Sequence, residues 1–368
     1  MKPLIKPLTI KSFASPNKRE QPKNTNIQTA LKEESTIMPA EEKLMEQVKT
    51  LLIERSKKAI EQAKQAVLQE QIKYKPLREA LRYFMEEIWF NAAHPALLSL
   101  TCEAVGGDPD ATTNISAALV LLTGAADIHD DIIDESTTKD SKPTVYGKYG
   151  KDIAIIAGDV LWFKGMLMLN EACEPFPTDK KSVILELAKQ AFFDIGSVEA
   201  KEASLRRNLD LQPEEYLDII RMKVSVAEAA AEIGAIVGNG TAQQIDILRQ
   251  YGKTLGTLMT IRDEFVDMFE VDEVKNRYSR ECLPLPILYA FRDVALKKEI
   301  LEILGKDELS EQELDKMLEI VANAPQVHKL GQDMSNEVKA TSQKLSRIPK
   351  NKHTLIELLT STVEDLPA

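Results

Sequence analysis

Residues 118–134 read Ala118-Leu119-Val120-Leu121-Leu122-Thr123-Gly124-Ala125-Ala126-Asp127-Ile128-His129-Asp130-Asp131-Ile132-Ile133-Asp134. No proline breaks the run, and its apolar first half passes directly into carboxylates, as a buried helix does when it emerges into a polar site. On a helix Asp130 and Asp134 are i and i+4, so both carboxylates leave the same face. An arbitrary acidic triplet is most simply a solvated face. Here the preceding residues are too apolar for a surface helix, and clustered carboxylates beside a core repel one another unless a cation neutralises them. His129 points about 100° away from Asp130 on the helix and reads as a structural histidine. Asp127 fits either a metal ion or a lysine partner.

The spacing recurs downstream in Ile261-Arg262-Asp263-Glu264-Phe265-Val266-Asp267, which follows Leu255, Leu258 and Met259. Two hard-oxygen clusters on apolar helices point to Mg²⁺, more than one ion, with water and phosphate oxygens completing each coordination shell. Ions bridging two acidic helices clamp a diphosphate and stabilise it as a leaving group.

The rest of the chain is helical in pattern. Leu44, Val48, Leu51 and Leu52 form an i, i+4, i+7, i+8 stripe. Further helices are predicted at 75–90, 95–106, 112–138, 152–172, 181–204, 213–238, 242–270, 283–303, 310–321 and 327–345. They are separated by breakers such as Gly106-Gly107-Asp108-Pro109 and Glu174-Pro175-Phe176-Pro177. Residues 1–40, rich in Lys, Pro, Asn, Gln, Ser and Thr, read as a disordered basic tail before one all-helical domain, 41–368. Of 368 residues, 43 % are hydrophobic and only 5 % aromatic, which favours long helices over sheets. The net charge of −11 argues against a nucleic-acid partner. Cys102, Cys173 and Cys282 suggest neither a disulfide framework nor a zinc site and fit a cytoplasmic setting. The apolar stretches are short or interrupted by charge, so no transmembrane segment is expected. The acidic C-terminal half reads as a solvated surface.

Taken together, the motifs resemble those of the polyprenyl synthetase family, the trans-type prenyl diphosphate synthases of the class I terpenoid synthase fold, over residues 75–290. His129 to Asp134 is similar to the family's first Asp-rich motif, and Lys142 to Gly150 to its Gly-x-Pro-Thr-x-His segment. Ala157-Gly158-Asp159 matches the Ala-Gly-Asp that opens the next helix. Glu214-Glu215-Tyr216-Leu217 through Met222-Lys223-Val224-Ser225 resembles a helix closing on Lys-Thr, and Asp263 to Asp267 the second Asp-rich motif.

The resemblance implies an all-α bundle around a central cavity and a Mg²⁺-dependent enzyme. Asp130, Asp131, Asp134, Asp263, Glu264 and Asp267 are the implied metal ligands, with Glu264 binding directly or behind another ligand. Lys139, Lys223 and Arg280 are the implied contacts to an allylic prenyl diphosphate. Ala125 and Ala126 stand where the family's product tube begins, so a long prenyl chain is expected to fit. A homodimer is implied, as is a heteromeric partner in some members.

The resemblance fails at the second substrate. Where the family places Gly-Gly-Lys-Arg-x-Arg-Pro to hold isopentenyl diphosphate, this chain has Trp89-Phe90-Asn91-Ala92-Ala93-His94-Pro95. The family's histidine before the first motif falls at Thr123, an arginine after it at Asp140, and a glutamine before the second at Thr260. Removing one charge-assisted hydrogen bond weakens binding by roughly 1.5–3 kcal/mol. The leading expectation is therefore an enzyme that ionises an allylic diphosphate and lets the cation cyclise or lose a proton, as terpene synthases do. The alternatives are a chain-elongating prenyl diphosphate synthase and a modulatory subunit of a heteromeric synthase.

Overall fold

The computed structural model describes residues 40–366, apart from 90, 140, 141, 270, 307 and 365. The tail expected at 1–40 and the substitution at Asp140 thus lie outside the described residues, except for Ala40. Helices account for nearly all of the described structure. Helix α1 (Ala40–Leu68) is followed by α2 (Lys75–Tyr83), which runs into a π-helical turn at Phe84–Ile88, and by α3 (Ala93–Ala104). Then come α4 (Thr113–Ile133), the two-residue strands β1 (Thr138–Lys139) and β2 (Lys142–Pro143), the short α5 (Val145–Tyr149), α6 (Lys151–Cys173) and α7 (Thr178–Ser204). The second half comprises α8 (Pro213–Lys223), α9 (Ser225–Val237), α10 (Ala242–Asp267) and α11 (Val271–Arg280). It closes with α12 (Leu285–Ala290), α13 (Val294–Leu304), α14 (Glu311–Ala322), α15 (Pro325–Leu345) and α16 (Lys352–Thr360).

Helix α4 is the axis of the bundle. It packs on α1, α3 and, most extensively, α6, while α9 is wedged between α3, α7 and α10. Ile115, Ala118, Leu121 and Leu122 of α4 are fully buried. By length and composition the segment 109–133 is apolar enough to cross a membrane, contrary to the sequence-based expectation, but 72 % of that stretch is buried inside the protein. Its apolarity is that of a core helix surrounded by others. Small residues set the close approaches. A Cβ on Gly158 would lie 2.4 Å from His129 Nε2, so the glycine of Ala157-Gly158-Asp159 lets α6 meet α4. The same imidazole stands 3.4 Å from Asp159 Oδ1, a packing role as expected.

Several predicted helices divide. The 112–138 segment stops at Ile133 because Glu135 adopts a left-handed φ of 55°. The amides of Ser136 and Glu135 then cap the carbonyls of Asp131 (2.8 Å) and Ile132 (3.3 Å). This turn sends the chain back through an antiparallel hairpin in which Lys139 pairs with Lys142. The 213–238 segment breaks at Val224, the 242–270 segment ends at Asp267 before α11, and 283–303 splits into α12 and α13. Helix α16 has no counterpart among the predicted segments.

Candidate active site

The C-terminal ends of α4, α8 and α10 open into a chamber of about 560 Å³, whose lining carries eleven carboxylates and five cationic side chains. Helix α4 contributes Asp130, Asp131 and Asp134, the predicted first cluster. Asp130 and Asp134 share a face as their spacing required. Burial, with Asp134 and Glu199 nearby, pushes the Asp130 carboxyl well above the usual carboxylate range despite Lys223 and Lys139. Asp134 is raised too, by burial, against the pull of Arg206 and Lys223.

Most of these carboxylates have a cation folded onto them. Lys139, returned by the hairpin, lies 2.5 Å from Asp127 and 3.8 Å from Asp131. This resolves the role of Asp127 as a lysine partner. Burial would lower the Lys139 pKa, yet the two aspartates hold it above its ordinary value. Lys223 ends α8 only because the helix breaks at Val224; it sits 3.4 Å from Glu199 and pairs also with Glu202. These carboxylates likewise overcome burial to raise its pKa. Arg206 pairs with Asp134 and donates to the Ile133 carbonyl at 2.9 Å.

The second cluster departs from expectation. Glu264 and Asp267 line the acidic chamber, whereas Asp263 lines a different one. Buried Arg277 lies 3.0 Å from Glu264 and 2.9 Å from Asp267. Glu264 also accepts from the Leu285 amide at 2.8 Å. The Tyr216 hydroxyl accepts from Arg277 at 2.9 Å and lies 3.0 Å from Glu202 and 3.2 Å from Glu264. Glu264 therefore stands as the anchor of an ion-pair network instead of an open metal ligand. Arg280, the predicted phosphate contact, lines the rim, half exposed and 3.9 Å from Glu135; the deeply placed arginine is Arg277.

Glu199, Glu202, Arg206 and Arg277 carry no signal in the sequence, and Tyr216 only its place in the motif that resembles the family's Lys-Thr helix. On their own helices they resemble ordinary polar residues, and only the crossing of α7, α8 and α11 brings them together. Among the described residues no three His, Cys, Asp or Glu side chains stand together as a preformed metal site. The chamber nevertheless fits hard divalent cations, because its oxygen donors outnumber its cations about two to one. Mg²⁺ takes only one or two carboxylates per ion and fills the remainder with water and phosphate.

Behind Lys223 lies a second chamber of about 220 Å³, walled by α1, α3, α9, α10 and the residues around α16, and lined mainly by aliphatic side chains. Lys223 is the one residue common to both linings. The segment that departs from the family pattern opens onto this apolar chamber through Asn91, Ala93 and His94. Asn91 hydrogen-bonds His94 Nδ1 at 2.8 Å, and burial lowers the imidazole pKa to about 4, leaving it neutral. Arg262 is buried and donates to the Ser361 carbonyl and Met45 Sδ, both at 3.4 Å. Thr260 donates to the Gly256 carbonyl at 3.0 Å, and Thr123 to the Leu119 carbonyl at 2.7 Å. Ala125 and Ala126 line neither chamber. Ala125 is buried in a cluster with Phe84, Val120, Leu121 and Ile128, so a chain-length role at that pair is not evident from either cavity.

A sequence model of the polyprenyl synthetase family matches residues 91–321. The chain is 32 % identical over 181 residues to a short chain isoprenyl diphosphate synthase of Methanothermobacter thermautotrophicus, covering 49 % of this chain and 54 % of that protein. It is 33 % identical over 211 residues to geranylgeranyl pyrophosphate synthase 9, chloroplastic, of Arabidopsis thaliana, covering 54 % and 58 %. The chain thus spans little more than half the length of these curated relatives. The crystal structure of geranylgeranyl pyrophosphate synthetase from Pyrococcus horikoshii superposes with a TM-score of 0.75 at 24 % identity, covering 89 % of this chain and 99 % of that one. That likeness establishes the all-α fold. With the acidic helices ordered as the family orders them and the match extending over more than half of the sequence, the chain belongs to the polyprenyl synthetase family.

Proposed function

We propose that this protein is a prenyl-diphosphate enzyme that binds an allylic prenyl diphosphate in the acidic chamber, ionises it, and consumes the cation in the apolar chamber without isopentenyl diphosphate. The observation that carries the reading is the contrast across Lys223: carboxylates and cations on one side, aliphatic walls and a neutral histidine on the other.

Mg²⁺ held by Asp130, Asp131 and Asp134, and opposite them by Asp267, would neutralise the diphosphate as it leaves, while Asp263, expected to join them, faces the apolar chamber. Glu264 holds Arg277 beside Asp267. Lys223, Lys139, Arg206 and Arg280 exchange their carboxylate partners for phosphate oxygens, and this stabilises the negative charge that grows as the C–O bond breaks. The aliphatic chamber excludes water from the cation.

The relatives' names favour a second reading, chain elongation, since those matched are isoprenyl and geranylgeranyl diphosphate synthases. Incubation with Mg²⁺ and geranyl, farnesyl or geranylgeranyl diphosphate, with and without labelled isopentenyl diphosphate, separates the two. Hydrocarbon or alcohol formed at a rate indifferent to isopentenyl diphosphate is the expected result; label in longer diphosphates establishes elongation instead. A homodimer is proposed as well, through exposed Phe163, Met166 and Leu167 of α6 and Phe193 of α7, apolar side chains that a partner would cover. The same face would serve a heteromeric partner. A cytoplasmic location agrees with three free, buried cysteines.

A further inference from the structure

The apolar chamber is a poor place for both water and anions. A water molecule occupies about 30 Å³ in the liquid, so the 220 Å³ cavity has room for several. Val48, Leu97, Leu255 and Met259 offer them almost no hydrogen bonds, which favours an apolar ligand over water along that wall. The cations at its wall are already committed, Lys223 to Glu199 and Glu202, and Arg262 to the Ser361 carbonyl. Asp263 adds negative charge.

One polar group remains. The His94 amide donates to Asn91 Oδ1 at 3.3 Å, which sets the orientation of the side-chain amide. Asn91 Nδ2 therefore donates to His94 Nδ1 at 2.8 Å, leaving the imidazole proton on Nε2. The ring is half-buried and neutral, it lines the cavity, and Nε2 makes no hydrogen bond to the described residues. A neutral donor facing a largely aliphatic cavity favours an uncharged acceptor there. A neutral N–H suits the oxygen of an alcohol or carbonyl far better than a diphosphate.

We propose that the apolar chamber is a binding site for an uncharged, terpene-sized molecule with a single oxygen acceptor, a prenyl alcohol or its carbonyl equivalent, anchored by His94 Nε2–H. The proposal rests on the reading that isopentenyl diphosphate is not the occupant of this chamber.

Calorimetric titration of the full chain with geraniol, and separately with isopentenyl diphosphate, tests it without turnover. Geraniol is expected to bind with or without Mg²⁺, and isopentenyl diphosphate to produce no heat. His94→Leu should weaken geraniol about 3- to 10-fold, with His94→Gln, which keeps an N–H, recovering part of the loss. Ala227→Phe should fill the cavity and abolish binding, with a circular dichroism melt reporting whether it folds. Absence of geraniol binding to the unaltered chain, or equal affinity in the Leu and Gln variants, overturns the proposal, whatever Ala227→Phe does. Failure of the underlying reading is seen separately, as isopentenyl diphosphate binding and label incorporation.

Discussion

The two chambers meet at one lysine and treat charge in opposite ways. In the acidic chamber every cluster of carboxylates is held by a cation delivered from another helix or from the hairpin: Lys139 on Asp127 and Asp131, Arg206 on Asp134, Lys223 on Glu199 and Glu202, and Arg277 on Glu264 and Asp267. The apolar chamber instead keeps its histidine uncharged by burial and its arginine tied to a carbonyl. The contrast teaches that one helical scaffold can set a charged cavity and a largely aliphatic one side by side. The acidic side needs long-range pairing to exist at all, whereas the apolar side requires only that cations be absent and that aliphatic residues close over the gap.

The largest expected effect is on the buried network. Arg277→Met leaves Glu264 and Asp267 without their shared partner, which should destabilise the fold by about 3–5 kcal/mol. Urea denaturation measures it; a loss below about 1 kcal/mol would mean that the network is an incidental packing of surface charges. Next, Asp130→Ala should retain the fold and lower diphosphate release about 10²- to 10³-fold, on the scale of removing one group that stabilises transition-state charge. Turnover within tenfold of the unaltered chain would move the reaction out of the acidic chamber.

Making the apolar chamber resemble its neighbour sharpens the comparison further. Asn91→Lys with His94→Arg places two cations at its wall, so isopentenyl diphosphate affinity should rise about tenfold or more, read by calorimetry. No gain would show that position, and not only charge, has been lost.

A further effect concerns Glu281. Burial, the dominant influence, raises its carboxyl from 4.5 to about 7 despite Arg277. Between pH 4.5 and 7 the folded carboxyl holds a proton that the unfolded chain has released, so this group's contribution to stability falls as pH rises through that window and levels off above it. Glu281→Gln removes the dependence. Relative to the unaltered chain, the variant should gain on the order of 2 kcal/mol between pH 4.5 and pH 8; parallel profiles would place the titration elsewhere.

Local spacing was enough to read Asp130 and Asp134 on one helix face and the apolar axis of α4, because a 3.6-residue period is a property of the chain alone. The family resemblance, and not spacing, singled out Lys223 and the absence of the family's basic residues at Asn91 and His94. Spacing could not divide Asp263 from Glu264 and Asp267, because which chamber each side chain reaches depends on where α8 breaks and how α10 crosses it. Nor could it find Glu199, Glu202 or Arg277. Each is an ordinary charged residue on a polar helix until another helix buries it, and no periodicity records a partner tens of residues away.

By itself, then, the sequence determined the helical architecture and the acidic face of α4, both of which follow from residue type and short-range geometry. Tertiary structure alone decided which cation each paired carboxylate of the acidic chamber meets. It also decided the neutral state of His94, the release of Arg280 to the rim and the filling of the space beside Ala125. Burial and long-range charge pairing act through space, and the fold sets those distances.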